Sequence, residues 1–300
     1  MCKEIRAFQR KPAAFAARVR AARVFILLLA LPAMIPAVAP GVAVAAPQPA
    51  ASLSGRPQGL HRPVRVPVLM YHEFGDSTHD LFLKKEQFKA QIQYLKASGY
   101  HAVALGDLYA ALKGKAALPQ KPVVLTFDDG YLSHYEFVYP VMKENGMRGV
   151  FFVMPGFVGK DGYASWEQLA EMAAGGMEIE SHSFSHPDMR LVAAGPRLTL
   201  ETLGAREEIE RRLSREVRFF CYPAGRYDRK TVRALQRAGY LAAFTTANRW
   251  LEGSQGLFAL PRLRMRRSDT LESFAERLKP PAAASATASG GSVFHRLRQD

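Results

Sequence analysis

Three hundred residues, 48% of them hydrophobic, are enough for one large domain with a substantial core and exclude a chain too polar to fold. The net charge of +14 is uneven: Lys3, Arg6, Arg10, Lys11, Arg18, Arg20 and Arg23 face a single acid, Glu4, in the first 45 residues. No nucleic-acid motif accompanies this charge, so it reads as solubility or attraction to anionic polymers, with no DNA or RNA partner.

Taken in order, the chain opens with a basic region and an apolar run, Val24–Leu31, which continues past Pro32, Pro36 and Pro40 to Val44. With Ala43-Val44-Ala45 this predicts a signal peptide over 1–45, cleaved near Ala45. An uncleaved segment, the second reading, would associate the chain with a membrane. After cleavage Cys221 is the one cysteine left, so no intramolecular disulfide forms. Residues 46–63, rich in Pro, Ala, Ser and Gly, read as a linker.

A first strand spans Val66–His72. Glu86–Lys96 reads as a helix, because Phe88, Ile92 and Leu95 share a face. Ala102–Leu105 reads as a short strand and Asp107–Lys113 as a helix stopped by Gly114. Val123–Phe127 is an apolar run typical of a buried parallel strand. A helix lies within 134–144, its start blurred by Pro140. Arg148–Met154 is a strand, Trp166–Ala174 a helix capped by Ser165, and Met177–Glu180 a strand. Leu200–Leu213 is a charged amphipathic helix with Ala205, Ile209 and Leu213 inward. Arg218–Tyr222 is a strand, and Asp228 caps a helix reaching Ala238. Leu241–Thr245 and Leu257–Met265 are strands, and Thr270–Leu278 is a last helix. The stretch 280–300 has the composition of a disordered tail, which leaves 64–279 as the domain. Strands alternating with helices predict a parallel α/β architecture, without deciding between a barrel and an open sheet.

Two stretches carry chemistry. Thr126-Phe127-Asp128-Asp129-Gly130 places two carboxylates at a strand end. Successive strand residues point to opposite faces, so both can reach one site only if the backbone leaves the strand there, and Gly130 permits that turn. Carboxyl ends of parallel strands are where catalysis gathers. His182-Ser183-Phe184-Ser185-His186 spaces two histidines as on one face of a helical turn, although Pro187 limits that turn to one or to a loop. One Asp and two neutral His make three metal ligands with an open fourth position, as in catalytic zinc sites; Co, Ni or Fe suit similar donors.

These two stretches resemble the first two motifs of the polysaccharide deacetylase family, the chitooligosaccharide deacetylase homology domain. Phe219-Phe220-Cys221-Tyr222-Pro223-Ala224-Gly225 is similar to the family's proline–glycine motif. The segments VPVLMYHEF at 66–74, Phe88 to Leu95, and ALPRLRM at 259–265 also fit, so the resemblance covers roughly 64–278. It implies a deformed (β/α) barrel with fewer than eight units. In the family the second Asp binds metal and the first is the base, which implies Asp129, His182 and His186 as ligands and Asp128 as base; a free carboxylate beside a metal suits that task. The N–H after the motif's proline, here that of Ala224, is implied as an oxyanion donor.

The chain departs from the pattern twice. Many members have Arg where Cys221 stands, holding the catalytic Asp; Arg262 is the expected substitute, with Arg264 and Arg266 as rivals of the same parity. Cys221 reads as a small buried residue rather than a nucleophile. Many members also have a late His as general acid, and here no His lies between His186 and His295. His72 is the candidate, since a nearly closed barrel sets the first strand beside the last. Trp166, Trp250, Tyr131 and Phe157 are aromatic residues able to stack on sugar rings. His61, His79, His101, His134 and His295 show no partner pattern. The expectation is an exported, periplasmic or extracellular, metal-dependent hydrolase removing N-acetyl groups from an N-acetylglucosamine polysaccharide or oligosaccharide. The alternatives are an O-acetyl polysaccharide esterase and a non-catalytic carbohydrate-binding domain.

Overall fold

A computed structural model describes residues 64–253 and 256–281; the expected signal peptide and linker, and the tail past 281, lie outside the described residues. The described chain opens with Arg65–Val66 (β1) and Val68–Tyr71 (β2), and Glu73–Phe74 (β3) pairs with Phe82–Leu83 (β4). Lys85–Ala97 (α1) follows, burying Phe88, Ile92 and Leu95 as the helical spacing requires. Then come His101–Ala102 (β5), Leu105–Leu112 (α2) and Pro122–Asp128 (β6). A π-helical turn, His134–Val138, leads into Tyr139–Glu144 (α3), with Pro140 in its first turn. Val150–Val153 (β7), Trp166–Ala174 (α4) and Glu178–Ser181 (β8) come next. Ser165 and Gln168 cap α4 reciprocally. Pro196–Thr199 (α5), a second π-turn at Leu200–Gly204 and Ala205–Leu213 (α6) run on as one interrupted helix. Phe219–Cys221 (β9), Arg229–Arg237 (α7), Ala242–Phe244 (β10), Leu251–Glu252 (β11), Leu263–Arg264 (β12) and Leu271–Arg277 (α8) complete the order.

The main sheet runs β10-β9-β8-β7-β6-β2-β12, with β5 against the start of β6, and every pairing in it is parallel. A separate antiparallel pair joins β1 to β11. One late segment spans the gap between the sheet's two edges. Leu260 bridges Phe244 of β10, and three residues on Leu263 pairs with Leu69 of β2. The sheet is thus a curled, incompletely closed barrel, as the resemblance implied. The expected strand Leu257–Met265 is broken because Pro261 has no N–H to give a ladder.

Alternate strand residues sort into two cores. Val68, Val124, Val150, Phe152, Phe219, Cys221, Ala242, Phe244 and Leu260 form one cluster with Leu105 and Leu108 of α2. Contributions from strands all round the sheet mark this as the interior of the curl, floored by α2. Leu69, Tyr71, Leu125, Phe127, Phe151, Val153, Phe220 and Tyr222 face outward, packing with Phe88 and Ile92 of α1 and Leu169 of α4. The expected strand to Leu105 stops at Ala102 for a tertiary reason. Glu178 of β8 accepts from Leu105 N with both oxygens, at 3.0 and 3.2 Å, and so caps the start of α2. Among the described residues no helix is long and apolar enough to cross a membrane.

Candidate active site

β6 keeps extended backbone through Asp128, whose side chain continues the inward series Val124, Thr126. Asp129 then takes φ +79° and Gly130 φ +74°. A left-handed non-glycine residue costs about 1–3 kcal/mol and persists where the surroundings enforce it. This turn is what lets two consecutive carboxylates serve neighbouring spots on one barrel mouth. A Cβ on Gly130 would meet Val153 Cγ1 at 3.2 Å, tighter than an ordinary contact, and would be strained at this φ.

Asp128 is buried and paired with the equally buried Arg262 through two bonds of 2.7 Å, Nη1 to Oδ1 and Nη2 to Oδ2. Arg262 also donates to Thr126 Oγ1 at 2.9 Å, to Thr245 O at 3.1 Å and to Cys221 Sγ at 3.0 Å. Burial opposes the charge on Asp128, but the Arg262 guanidinium outweighs it and holds the carboxyl at about 2. The guanidinium thus reaches Asp128 from the late segment, over the position Cys221 occupies, while burial pushes the Cys221 thiol up and keeps it neutral. Neither rival pairs with Asp128: Arg264 Nε is buried with no partner among the described residues, and Arg266 Nε lies 3.7 Å from Asp80 Oδ2.

Asp129 turns to the histidines. Its Oδ1 lies 3.3 Å from His182 Nε2 and 3.5 Å from His186 Nε2. These contacts are longer than the about 2.7–2.9 Å of a charge-assisted hydrogen bond. They match the about 3.3–3.4 Å between two donors that share one tetrahedral ion at about 2.0–2.1 Å each. His182 Nδ1 donates to Cys221 O at 2.7 Å, which fixes the ring with Nε2 toward Asp129; against burial, Cys221 and Asp129 raise its pKa well above the ordinary value, and a cation at Nε2 would take the place of that proton. Burial, then the neighbouring His182, lowers His186 to about 4, so it is a neutral ligand at working pH. The donor set therefore fits a divalent cation, with His182 deep (3% exposed) and His186 at the opening (35%).

The histidines do not sit on a helical turn. The connection is a loop in which Ser183 and His186 both take left-handed φ, +66° and +59°. Its N–H groups at Phe184 and Ser185 donate to Glu201, a residue the sequence did not single out. Nothing in Leu200–Leu213 separates this glutamate from Glu207, Glu208 and Glu210 by pattern alone.

His72, at the end of β2, places Nε2 3.8 Å from Asp128 Oδ2, while its Nδ1 is buried with no partner among the described residues. Burial lowers the His72 pKa, and Asp128 partly restores it. His134, for which the sequence offers no partner, donates from Nε2 to His72 O at 2.6 Å and packs edge-on against Phe74 and Phe127. Burial lowers it to about 4, so it is a neutral strut under His72. Ala224 sits in a tight turn, Pro223–Gly225, at φ +51°, and its N–H makes no hydrogen bond among the described residues. That turn begins two residues after the Cys221 carbonyl that holds His182. Of the aromatic candidates, Trp166 and Trp250 pack on the core, Phe157 contacts Tyr163, and Tyr131 stacks on Tyr163 close enough to Asp129 to feel its charge.

Comparison with known proteins accords with this geometry. The family model for polysaccharide deacetylase matches residues 115–243. YxkH of Bacillus subtilis (strain 168), which carries a polysaccharide deacetylase name, is 30% identical over 204 residues, 68% of this chain and 72% of its own. The poly-β-1,6-N-acetyl-D-glucosamine N-deacetylase of Escherichia coli (strain K12) is 23% identical over 256 residues, 70% of this chain; the match spans only 38% of that longer relative. The Streptococcus pyogenes deacetylase PplD, solved in complex with acetate, superposes with a TM-score of 0.69 at 28% identity over 73% of this chain and 100% of its own. The family match, the 30% identity to a relative covered over 72% of its length and the superposition on PplD show that the chain belongs to the polysaccharide deacetylase family.

Proposed function

We propose that this protein removes N-acetyl groups from an N-acetylglucosamine-containing polysaccharide, with a divalent metal, outside the cytoplasm. The observation that carries the metal is the convergence of Asp129, His182 and His186 at ligand spacing beside an ionised, Arg-held Asp128. The amide specificity rests on the likeness to relatives named as N-deacetylases. Export rests on the basic and apolar pattern of residues 1–45.

Asp129, His182 and His186 would hold the cation, zinc before Co, Ni or Fe on this donor set. When bound, such an ion supplies Lewis acidity, polarising an acyl carbonyl and acidifying a water enough for a carboxylate of low pKa to deprotonate it. Asp128 is the base that takes this proton, and Arg262 keeps it ionised and aimed. The Ala224 N–H donates to the oxygen that gains charge as the carbonyl carbon becomes tetrahedral; one such donor is typically worth about 3 kcal/mol. His72 is the general acid: its Nε2 lies 3.8 Å from Asp128 Oδ2, which favours the protonated ring against burial, and it would hand that proton to the amine leaving as the C–N bond breaks.

The test is metal analysis combined with acetate release from matched N- and O-acetylated oligomers, with and without a chelator. Chelator-sensitive release from the N-acetylated oligomer is expected. Full activity in ion-free protein would sink the metal reading. Release from the O-acetylated oligomer alone would make the protein an esterase. Polymer binding with no metal-dependent release from either would make it a carbohydrate-binding domain.

A further inference from the structure

The loop between the two histidines is held by one buried carboxylate. Phe184 N and Ser185 N donate to Glu201 Oε2 at 3.1 and 2.9 Å, and Ser185 Oγ donates to Oε1 at 2.6 Å. From the other side Gly156 N donates to Phe184 O at 2.9 Å; a Cβ on Gly156 would come within 2.7 Å of that oxygen. His186 N donates to Ser183 Oγ at 3.0 Å. Each backbone N–H from 184 to 186 thus has an assigned partner, and those bonds hold the two left-handed residues that bracket the loop.

Glu201 is fully buried, and its ion-pair partner is Arg197 at 2.9 Å, itself half exposed. It lies within the π-turn Leu200–Gly204, where the long helix widens by a residue. Such turns recur at functional sites because they displace one side chain from the regular helical face. The other π-turn, His134–Val138, also sends a side chain to the site, from His134 to His72 O. The contacts of Glu201 are of a particular kind. Glu178 caps a helix on the barrel floor, whereas Glu201 binds the two peptide groups midway between the ligands His182 and His186.

We propose that Glu201 is a positioning residue that sets the spacing of His182 and His186, and through it the metal affinity of the site. This rests on the reading of Asp129, His182 and His186 as metal ligands. A buried carboxylate accepting charge-assisted bonds from successive N–H groups fixes their direction firmly. Without it Ser183 and His186 can relax toward ordinary φ values, and His186, the more exposed ligand, swings away from Asp129.

The test measures Zn²⁺ affinity of metal-depleted protein by competition with a chromogenic chelator, and the visible spectrum of the Co²⁺ form. Glu201→Gln keeps the shape and loses the charge; it is expected to weaken Zn²⁺ binding about 10–100-fold, as loss of a ligand's supporting partner does, and to alter the Co²⁺ bands. Ser185→Ala, lacking one bond to Glu201, should lose about 3–10-fold. Glu178→Gln, which removes a largely buried carboxylate far down the barrel, should bind as wild type. Wild-type affinity and spectrum in Glu201→Gln would overturn the proposal, as would an equal loss in Glu178→Gln, the sign of a general stability effect. If Glu201→Gln does not fold, Ser185→Ala decides by the same measurement, and wild-type affinity there overturns it. If the wild-type protein binds neither Zn²⁺ nor Co²⁺, the metal reading itself falls, and the Glu201 proposal with it.

Discussion

The barrel holds buried carboxylates at two levels, and they behave oppositely. On the floor, Glu178 accepts from Leu105 N, and Glu180 accepts from Arg218 N and Phe219 N at 2.9 and 2.8 Å. At the mouth, Asp128 meets the Arg262 guanidinium and Asp129 meets two imidazoles. Burial opposes the charged form at both levels. Backbone amides do not offset it, so Glu178 rises to about 7 and Glu180 goes well above the usual range. The Arg262 guanidinium more than offsets it at Asp128, which falls to about 2, and the hydrogen bond and charge interaction with His182 lower Asp129 as well. Depth does not decide the state of a carboxylate here; the charge of its partner does. The mouth keeps two acids ionised, as the proposed base and metal ligand require, whereas the floor uses carboxylates as backbone clamps.

The sharpest break in this contrast lies within the mouth. Asp129→Asn should lose the metal together with nearly all acetate release, measured by metal content after dialysis and by turnover. Asp128→Asn should keep the metal and lose about 10²–10⁴ in kcat, because the ligand set survives while proton removal does not. The reverse pattern of metal contents would exchange the two roles. His72→Ala should likewise keep the metal and lower kcat on the amide by about 10²–10⁴, while an activated ester, whose leaving group needs no proton, is spared. Equal losses on both substrates would make His72 structural.

The Arg262 pair predicts a stability effect of the next size. Arg262→Ala strands the Asp128 charge in the interior and should destabilise by about 3–5 kcal/mol in urea unfolding. Adding Asp128→Asn should recover part of that loss, because the double variant leaves no unpaired charge. If the two losses simply add, the pair contributes nothing beyond its separate packing.

Much of this arrangement was legible in the chain because it rests on local pattern. The run Val123–Phe127, the Ser165 and Asp228 caps and the two histidines announce a parallel α/β fold with an acid-and-histidine mouth. Arg262 could be placed because the resemblance implied an arginine beside Asp128, and the late strand offered Arg262, Arg264 and Arg266 with the same parity. What stayed hidden depends on partners distant in sequence. Glu178 capping α2 moved the expected strand boundary at Leu105, and nothing near residue 105 signals a cap 73 positions away. Pro261, with no N–H to give, interrupts the last strand where it passes from β10 to β2. Glu201 and His134 act from π-turns, which leave no mark on hydrophobic periodicity. The spacing of His182 and His186 left a single turn or a loop open, and the backbone N–H bonds to Glu201 and Ser183 Oγ hold a loop with left-handed residues.

The smallest expected effect tests the floor. The Glu178 carboxyl, at 4.5 in an ordinary setting, stands at about 7 in the folded protein. A raised folded value means the unfolded chain ionises first as pH increases. The stabilisation is therefore complete below about 4.5 and is lost as pH climbs through about 7. At 1.36 kcal/mol per pKa unit, this group should cost the wild type at most roughly 3 kcal/mol between pH 5 and pH 8. Glu178→Gln cannot ionise and still offers an oxygen to Leu105 N, so its stability should gain on the wild type by about that amount over the same interval. Chemical unfolding at several pH values reads this directly. Parallel curves would mean that the amide donors at the head of α2 hold Glu178 ionised after all, and the contrast between amide and cationic partners would then fail at the floor.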